Sequence, residues 1–416
     1  MDAKELPARP NLEHYKKLAK DLVKAYQSGD AAPLKRFQEH LQLPQLTWAD
    51  LRKEAQSRLR RLRGSKVVGD KLTLTDAQFL IAQSCAFESW PKFKKHIEAV
   101  LRKSSPVSKF ESAVDAVISG DVEMLKRLLR ENPDLIRARS TRAHQSTLLH
   151  YVSANGVEDF RQKTPKKAVE VTKILLEAGA EVDAESNPGR STTLGLIATS
   201  VHPARAGVQI VLLALLLEAG ASPNGPAGGW NPLVAALHNG RGDAAKFLAE
   251  RGARLDLEAA AGVGLLDAVK SFFNADGSLK PSATRAQMED GFMWACEYGR
   301  EDVVKFLLEK GIDVATKRGC TGLHWASYGG HSDLVKLLLE RKAPIDVQDE
   351  TFGGTPLGWA LYAWGSPPPE VKVSDYYEVV KFLVAAGARI DPDTLADDRV
   401  RADPRMLAAL RAKVHR

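Results

Sequence analysis

Histidine, cysteine and arginine are the side chains here whose type and spacing could support chemistry. A hydrolase needs a nucleophile beside a base, and a metalloenzyme needs ligands converging at fixed spacing. The chain contains no Gly-x-Ser-x-Gly, His-Glu-x-x-His, phosphate-binding Walker loop or Gly-x-Gly-x-x-Gly segment. Cys85, Cys296 and Cys320 are too widely separated in sequence for neighbours to form a disulfide framework, a Cys-x-x-Cys redox pair or a zinc site. A reducing cytoplasm fits them best, and Cys296 reads as an inert core thiol on the small face of its helix. An enzyme would have to build its pocket from inserted loops together with His238, Glu297 or His331. No motif supports that, so the chain reads as non-catalytic, with no metal and no cofactor.

The arginines are more pointed. Net charge is +7, but residues 1–105 hold 21 Lys and Arg against 12 Asp and Glu, a surplus of 9, and the rest of the chain is at −2. In the helix expected after Thr47, Trp48, Leu51, Ala55, Leu59 and Leu62 share one stripe at 100° per residue. Arg52, Lys53, Arg60, Arg61 and Arg63 spread over its flank and opposite half, a candidate anion-binding face. The plain reading is a solvated surface. The sharper ones are nucleic acid, which no base-reading motif accompanies, and an anionic membrane surface.

Length, composition and pattern indicate the elements that hold these residues. At 416 residues, 44% hydrophobic and 27% charged, the chain is a soluble globular one, too long for a single core. Its longest apolar run, Ile210 to Leu217, falls far short of the ~20 residues of a spanning helix, and no apolar run follows the opening charges, so neither export nor membrane insertion is expected. One pattern recurs: a turn, a short apolar helix ending in Gly, then a second helix of the form Val-Lys-x-Leu-Leu-Glu followed by Gly-Ala. It is clearest from Thr321 to Glu340. Anchors at 111, 147, 192, 231, 255, 290, 321 and 355 define eight units, a period in the low to mid thirties.

This resembles the ankyrin repeat, on the strength of Thr147-Leu-Leu-His150, Thr321-Gly-Leu-His324, Thr355-Pro-Leu-Gly358 and the Gly-Ala pairs starting at 179, 220, 252 and 387. The resemblance covers residues 108 to about 392. It implies an all-α solenoid of helix pairs with short hairpin turns, in which each unit buries its apolar face on the next. It also gives His150 and His324 a structural role, hydrogen-bonding adjacent turns together. Extra segments at Val157 to Ala168, Val201 to Gly207 and Trp364 to Tyr376 are expected to project from the helix-turn edge. The unit at Asn231 lacks most of its outgoing hairpin.

Residues 1–105 read as a small helical domain, 106–398 as the array and 399–416 as a capping helix. Helices are expected around Leu12 to Tyr26, from Pro33, after Thr47, after Thr75 and from Ser89. The stretch Leu74 to Gln83 with Phe87 to Glu98 is similar to a segment found before ankyrin arrays in bacterial proteins, which suggests a bacterial source.

The expected function is a scaffold or adaptor that binds a protein or peptide in the concave groove, acting as a monomer. By the ankyrin frame, Ala154, Thr199, His238, Gly262, Glu297, Tyr328 and Tyr362 face that groove from the first helices, and Trp230, Arg318 and Phe352 from the hairpin tips. The partner-binding set is therefore Trp230, His238, Glu297, Arg318, Tyr328, Phe352 and Tyr362. Trp294, Trp325 and Trp359 share one frame position, 31 and 34 residues apart, and are expected to point between the paired helices as core.

Overall fold

The computed structural model describes residues 4–7, 9–28, 72–187, 189–368 and 371–412, with Lys53 and Ser57 besides. The helix expected from Pro33 and, Lys53 and Ser57 apart, the one expected after Thr47 lie outside the described residues. The chain divides into two compact units, Met1–Gly229 and Trp230–Arg416.

In the first unit, α1 (Leu12–Ser28), α2 (Leu74–Ser84) and α3 (Trp90–Val100) form a small helical layer. Tyr15, Leu18 and Leu22 of α1 bury one stripe against Ile81, Phe87, Phe93 and Ile97, with Tyr15 and Phe93 meeting edge to face at 5.0 Å. Thr73, not Thr75, caps α2 through a reciprocal bond with Asp76, and Ser89 caps α3. Three helix pairs follow: α4 (Pro106–Ser119) with α5 (Val122–Glu131), α6 (Leu148–Tyr151) with α7 (Ala168–Glu177), and α8 (Thr193–Thr199) with α10 (Gln209–Glu218). Between α8 and α10, the expected insertion forms the short helix α9 (Val201–Arg205).

The second unit holds five pairs: α11 (Pro232–His238) with α12 (Gly242–Glu250), α13 (Leu257–Val263) with α14 (Leu266–Lys270), α15 (Arg285–Glu297) with α16 (Glu301–Glu309), α17 (Gly322–Tyr328) with α18 (Ser332–Glu340), and α19 (Pro356–Gly365) with α20 (Asp375–Ala385). One two-residue hairpin, β1 (Lys317–Arg318) with β2 (Cys320–Thr321), interrupts an otherwise helical unit. Three short helices, α21 (Pro392–Ala396), α22 (Asp398–Ala402) and α23 (Pro404–Leu410), close it. Met406, Ala409 and Leu410 of α23 bury against the core that contains Val379 and Leu383 of α20.

Local chemistry explains the repetition. First helices begin behind Thr192, Asn231, Asp256 or Thr355, whose side chains accept a backbone N–H of the first turn. Second helices bury one Leu in the same place: Leu175, Leu216, Leu248, Leu307, Leu338 and Leu383 are all fully buried. Truncating any of them to Ala would cost about 2–5 kcal/mol. Five of those helices end on a left-handed glycine, Gly179, Gly220, Gly252, Gly311 or Gly387, with φ between 85° and 99°. In the unit of α17 and α18 that position is Lys342, at φ 64°.

Two boundaries differ from the sequence expectation. The sixth unit begins not at Asp290 but behind Thr284, whose reciprocal cap with Gln287 starts a 13-residue helix. The Val157 to Ala168 insertion turns inward at its start rather than projecting: Val157, Glu158 and Arg161 are buried.

Candidate functional site

The first helices of the second unit carry a continuous row of rings. Trp230 lies 6.4 Å from His238, His238 4.6 Å from Trp294, Trp294 5.8 Å from Trp325 and Trp325 5.1 Å from Trp359, measured between ring centroids. Tyr328 sits 6.0 Å from both Trp325 and Trp359. Tilted and edge-on pairs at such distances add about 0.5–1.5 kcal/mol each beyond burial. The three recurring tryptophans, expected to point between the paired helices as core, are instead half-buried along the row, Trp325 also packing against the core. The small neighbours Ala295, Ala326 and Ala360 take the fully buried position instead, one residue and 100° further round each helix.

Two carboxylates fix the row from beneath. Glu258 Oε1 accepts the Trp294 indole N–H at 2.8 Å and lies 2.8 Å from His238 Nε2. Asp349 Oδ2 accepts the Trp359 indole N–H at 3.0 Å and the backbone N–H of Gly354 at 2.7 Å, while Oδ1 accepts those of Thr351 and Phe352. Burial would raise both acids, but these donors outweigh it and hold each below its ordinary value. Asp349 thereby shapes the tip that presents Phe352.

The expected partner-binding residues divide into three groups. Trp230 (72%), Phe352 (83%) and Tyr362 (71%) are widely exposed, and His238 and Tyr328 belong to the row itself. Arg318 is exposed but engaged, its Nε and Nη2 donating to the two oxygens of Asp290 at 2.9 and 3.0 Å. Glu297 is buried, a correction to its expected place in the groove; Ala154 and Gly262 are buried as well. These three lie against packed neighbours rather than at a rim. Sequence reading missed Glu258 and Asp349 as supports, although the recurrence of tryptophan at 31 and 34 residues marked the row they hold.

The histidines are spoken for by backbone. Thr147 N–H donates to His150 Nδ1 at 3.2 Å, and His150 Nε2 donates to the Ser191 carbonyl at 3.3 Å in the next unit. Thr321 and His324 repeat this, with Nε2 on the Gly354 carbonyl at 3.1 Å. Burial lowers both, His150 to about 4. His331, from the enzymatic alternative, donates Nε2–H to the Glu297 carbonyl at 2.7 Å, and burial lowers it too. Burial pushes the Cys85 thiol up to about 11 and Cys320 to about 12, and Cys296 higher still. Of the proposed anion-binding face, Lys53 is exposed on a helix, and Arg52, Arg60, Arg61 and Arg63 lie outside the described residues.

The first unit contains a second cluster that local sequence does not reveal. Arg142 pairs with Glu158 and reaches Glu111 Oε2 at 3.4 Å, and Arg161 meets Glu111 at 2.8 Å, Glu158 at 3.2 Å and Asp115 at 3.2 Å. His144 Nε2 lies 3.4 Å from Glu158. Burial alone would raise the Glu158 carboxyl; His144 and the two guanidinium groups more than reverse it. Arg142 also donates to the Cys85 carbonyl at 3.2 Å, and Ala143 N–H to the Ala86 carbonyl at 2.8 Å. These contacts fasten the helical layer to the repeats that follow. Two buried, paired guanidinium and carboxylate groups make a structural ion cluster.

Paired helices, glycine-stopped second helices and threonine–histidine turns define an α-helical repeat protein. A family profile described as ankyrin repeats, in three copies, matches residues 257–349 and 292–394, so the chain carries ankyrin repeats. Among solved structures, the human ASB11 ankyrin repeat domain is 20% identical, over 67% of this chain and 99% of that chain, with a TM-score of 0.34. No curated protein matches the chain in sequence. Among the described residues no helix is long and apolar enough to cross a membrane.

Proposed function

We propose that the protein is a non-catalytic recognition scaffold that docks a protein or peptide along the aromatic row of its second unit. The observation that carries this is the continuity of the row from Trp230 through His238, Trp294 and Trp325 to Trp359, flanked by exposed Phe352 and Tyr362. Large aromatics supply most interface energy, with hot spots of ~2 kcal/mol or more, and a scaffold held this firmly loses little entropy on binding. Ankyrin repeats serve generally as protein-interaction modules, which agrees. The histidines near the row and in the turns are committed to backbone or to Glu258, so the reading assigns them positioning rather than proton transfer. The scaffold works as a monomer in a reducing cytoplasm, in keeping with three buried free thiols.

A displayed peptide library selected against the full chain tests this. Peptides recovered on the wild type should lose at least tenfold in affinity for the Phe352→Ala/Tyr362→Ala variant, whose exposed positions leave folding intact. Equal affinity for both proteins would move the site elsewhere.

A further inference from the structure

The chemistry around the row narrows the kind of partner, and this step rests on the docking reading above. The indole N–H groups of Trp294 and Trp359 are consumed by Glu258 and Asp349, so neither ring keeps a donor to offer outward. Asp349 accepts from three backbone N–H groups and an indole, all uncharged, and Glu258 from an indole and an imidazole. Among the described residues, no lysine or arginine is hydrogen-bonded to either acid. Of the cations near the row, Arg318 is engaged with Asp290 and Lys317 with Glu350, and Arg241, close to Tyr328, is buried and donates to the Asn239 carbonyl. What the row offers a ligand is chiefly aromatic faces, which carry negative charge density, beside two ionised carboxylates, with neutral donors on Trp230, Trp325, Tyr328 and Tyr362.

We infer that the row receives a cationic, arginine-bearing segment of a partner protein. An acidic segment would meet the Glu258 and Asp349 charges with only neutral indole and hydroxyl donors, those of Trp230, Trp325, Tyr328 and Tyr362, to receive it; a purely apolar one would leave the Glu258 charge facing only His238 and the Asp290-paired Arg318. A guanidinium can stack on indole and phenol rings while its N–H groups face the Glu258 carboxylate, which a lysine ammonium does with poorer geometry; Asp349, its oxygens already filled, adds only its charge.

The test uses the full chain labelled with 5-fluorotryptophan, its seven tryptophan resonances assigned through single Trp→Phe variants. Three acetylated, amidated heptapeptides serve as probes, with three arginines, three citrullines or three glutamates spaced by glycine. Citrulline keeps the shape of arginine and removes its charge. The arginine peptide is expected to shift the Trp294, Trp325 and Trp359 resonances saturably, binding roughly 5- to 30-fold tighter than the citrulline peptide. Glu258→Gln, which keeps an acceptor for the indole, should erase much of that preference. An equal response to citrulline, or a stronger one to glutamate, overturns the cationic assignment and leaves docking itself standing. Silence of the row toward all three peptides also overturns it, and docking is then decided by the library selection alone.

Discussion

Trp294 Nε1 and Glu258 Oε1 lie 2.8 Å apart, and the same oxygen lies 2.8 Å from His238 Nε2, so one carboxylate fixes two members of the row. Replacing it strands the part-buried Trp294 indole N–H and releases the exposed His238 to water. Glu258→Ala should destabilise the protein by about 1–3 kcal/mol, the cost of leaving a part-buried donor without an acceptor. Glu258→Gln, which still accepts from the indole, should cost under half as much. Urea unfolding midpoints of the two variants measure the difference, and equal midpoints would remove Glu258 as a support.

Lys342 occupies, at φ 64°, the position that is a left-handed glycine after five other second helices. A left-handed residue bearing a side chain carries about 1–2 kcal/mol of strain. Lys342→Gly should therefore raise stability by about 0.5–1 kcal/mol once the added freedom of the unfolded chain is subtracted. The expected outcome is a Tm higher by a degree or two, since Lys342 is exposed and its side chain supports no core contact; a lower Tm would refute it.

Removing Glu158 leaves Arg142 and Arg161 buried with one fewer anion. Glu158→Ala should cost about 3–5 kcal/mol. Asp115 touches the same cluster from a side chain that is 66% exposed, and Asp115→Ala should cost less than about 1 kcal/mol. Chemical denaturation of both variants checks the contrast.

Stability should fall in mild acid. Burial lowers His96 and His150 to about 4 in the folded chain, whereas a free imidazole titrates near 6.5. Between those values the unfolded chain binds more protons, so the stability each contributes is complete above about 6.5 and is lost as pH falls toward 4. At pH 5.5 the loss from each should be about 1 kcal/mol. A Tm that declines from pH 7 to pH 5, with imidazole resonances of these two residues that do not titrate near 6.5, is expected; flat stability over that range would contradict it.

The repeat frame was legible because it is written in local chemistry. Glycine must follow a second helix, a buried leucine must recur one turn before it, and threonine must precede histidine by three, so pattern alone places most helix pairs. The start of the sixth unit was missed where Thr284-x-x-Gln287, a good cap in its own right, sits in a Pro- and Ser-bearing segment upstream of the frame. The tryptophans were misplaced by one step around the helix: a large apolar ring reads as core, yet Ala295, Ala326 and Ala360 fill the closely packed position beside each. Glu158 and Arg161 could not be placed from sequence at all. Apart from each other, their partners are 14 to 50 residues away, and nothing in an isolated insertion tells whether a charge will meet water or an opposite charge.

The bond from Arg142 to the Cys85 carbonyl bears on how this molecule can be cut. A fragment starting at residue 106, the natural choice if the repeats are regarded as a self-sufficient cassette, would strip away the carbonyls of Cys85 and Ala86 and leave the 139–147 turn grasping at solvent. Anyone isolating the array for crystallisation or screening would do better to retain the whole helical layer, α1 included, because the first repeat has its lid in those helices and α1 covers their core.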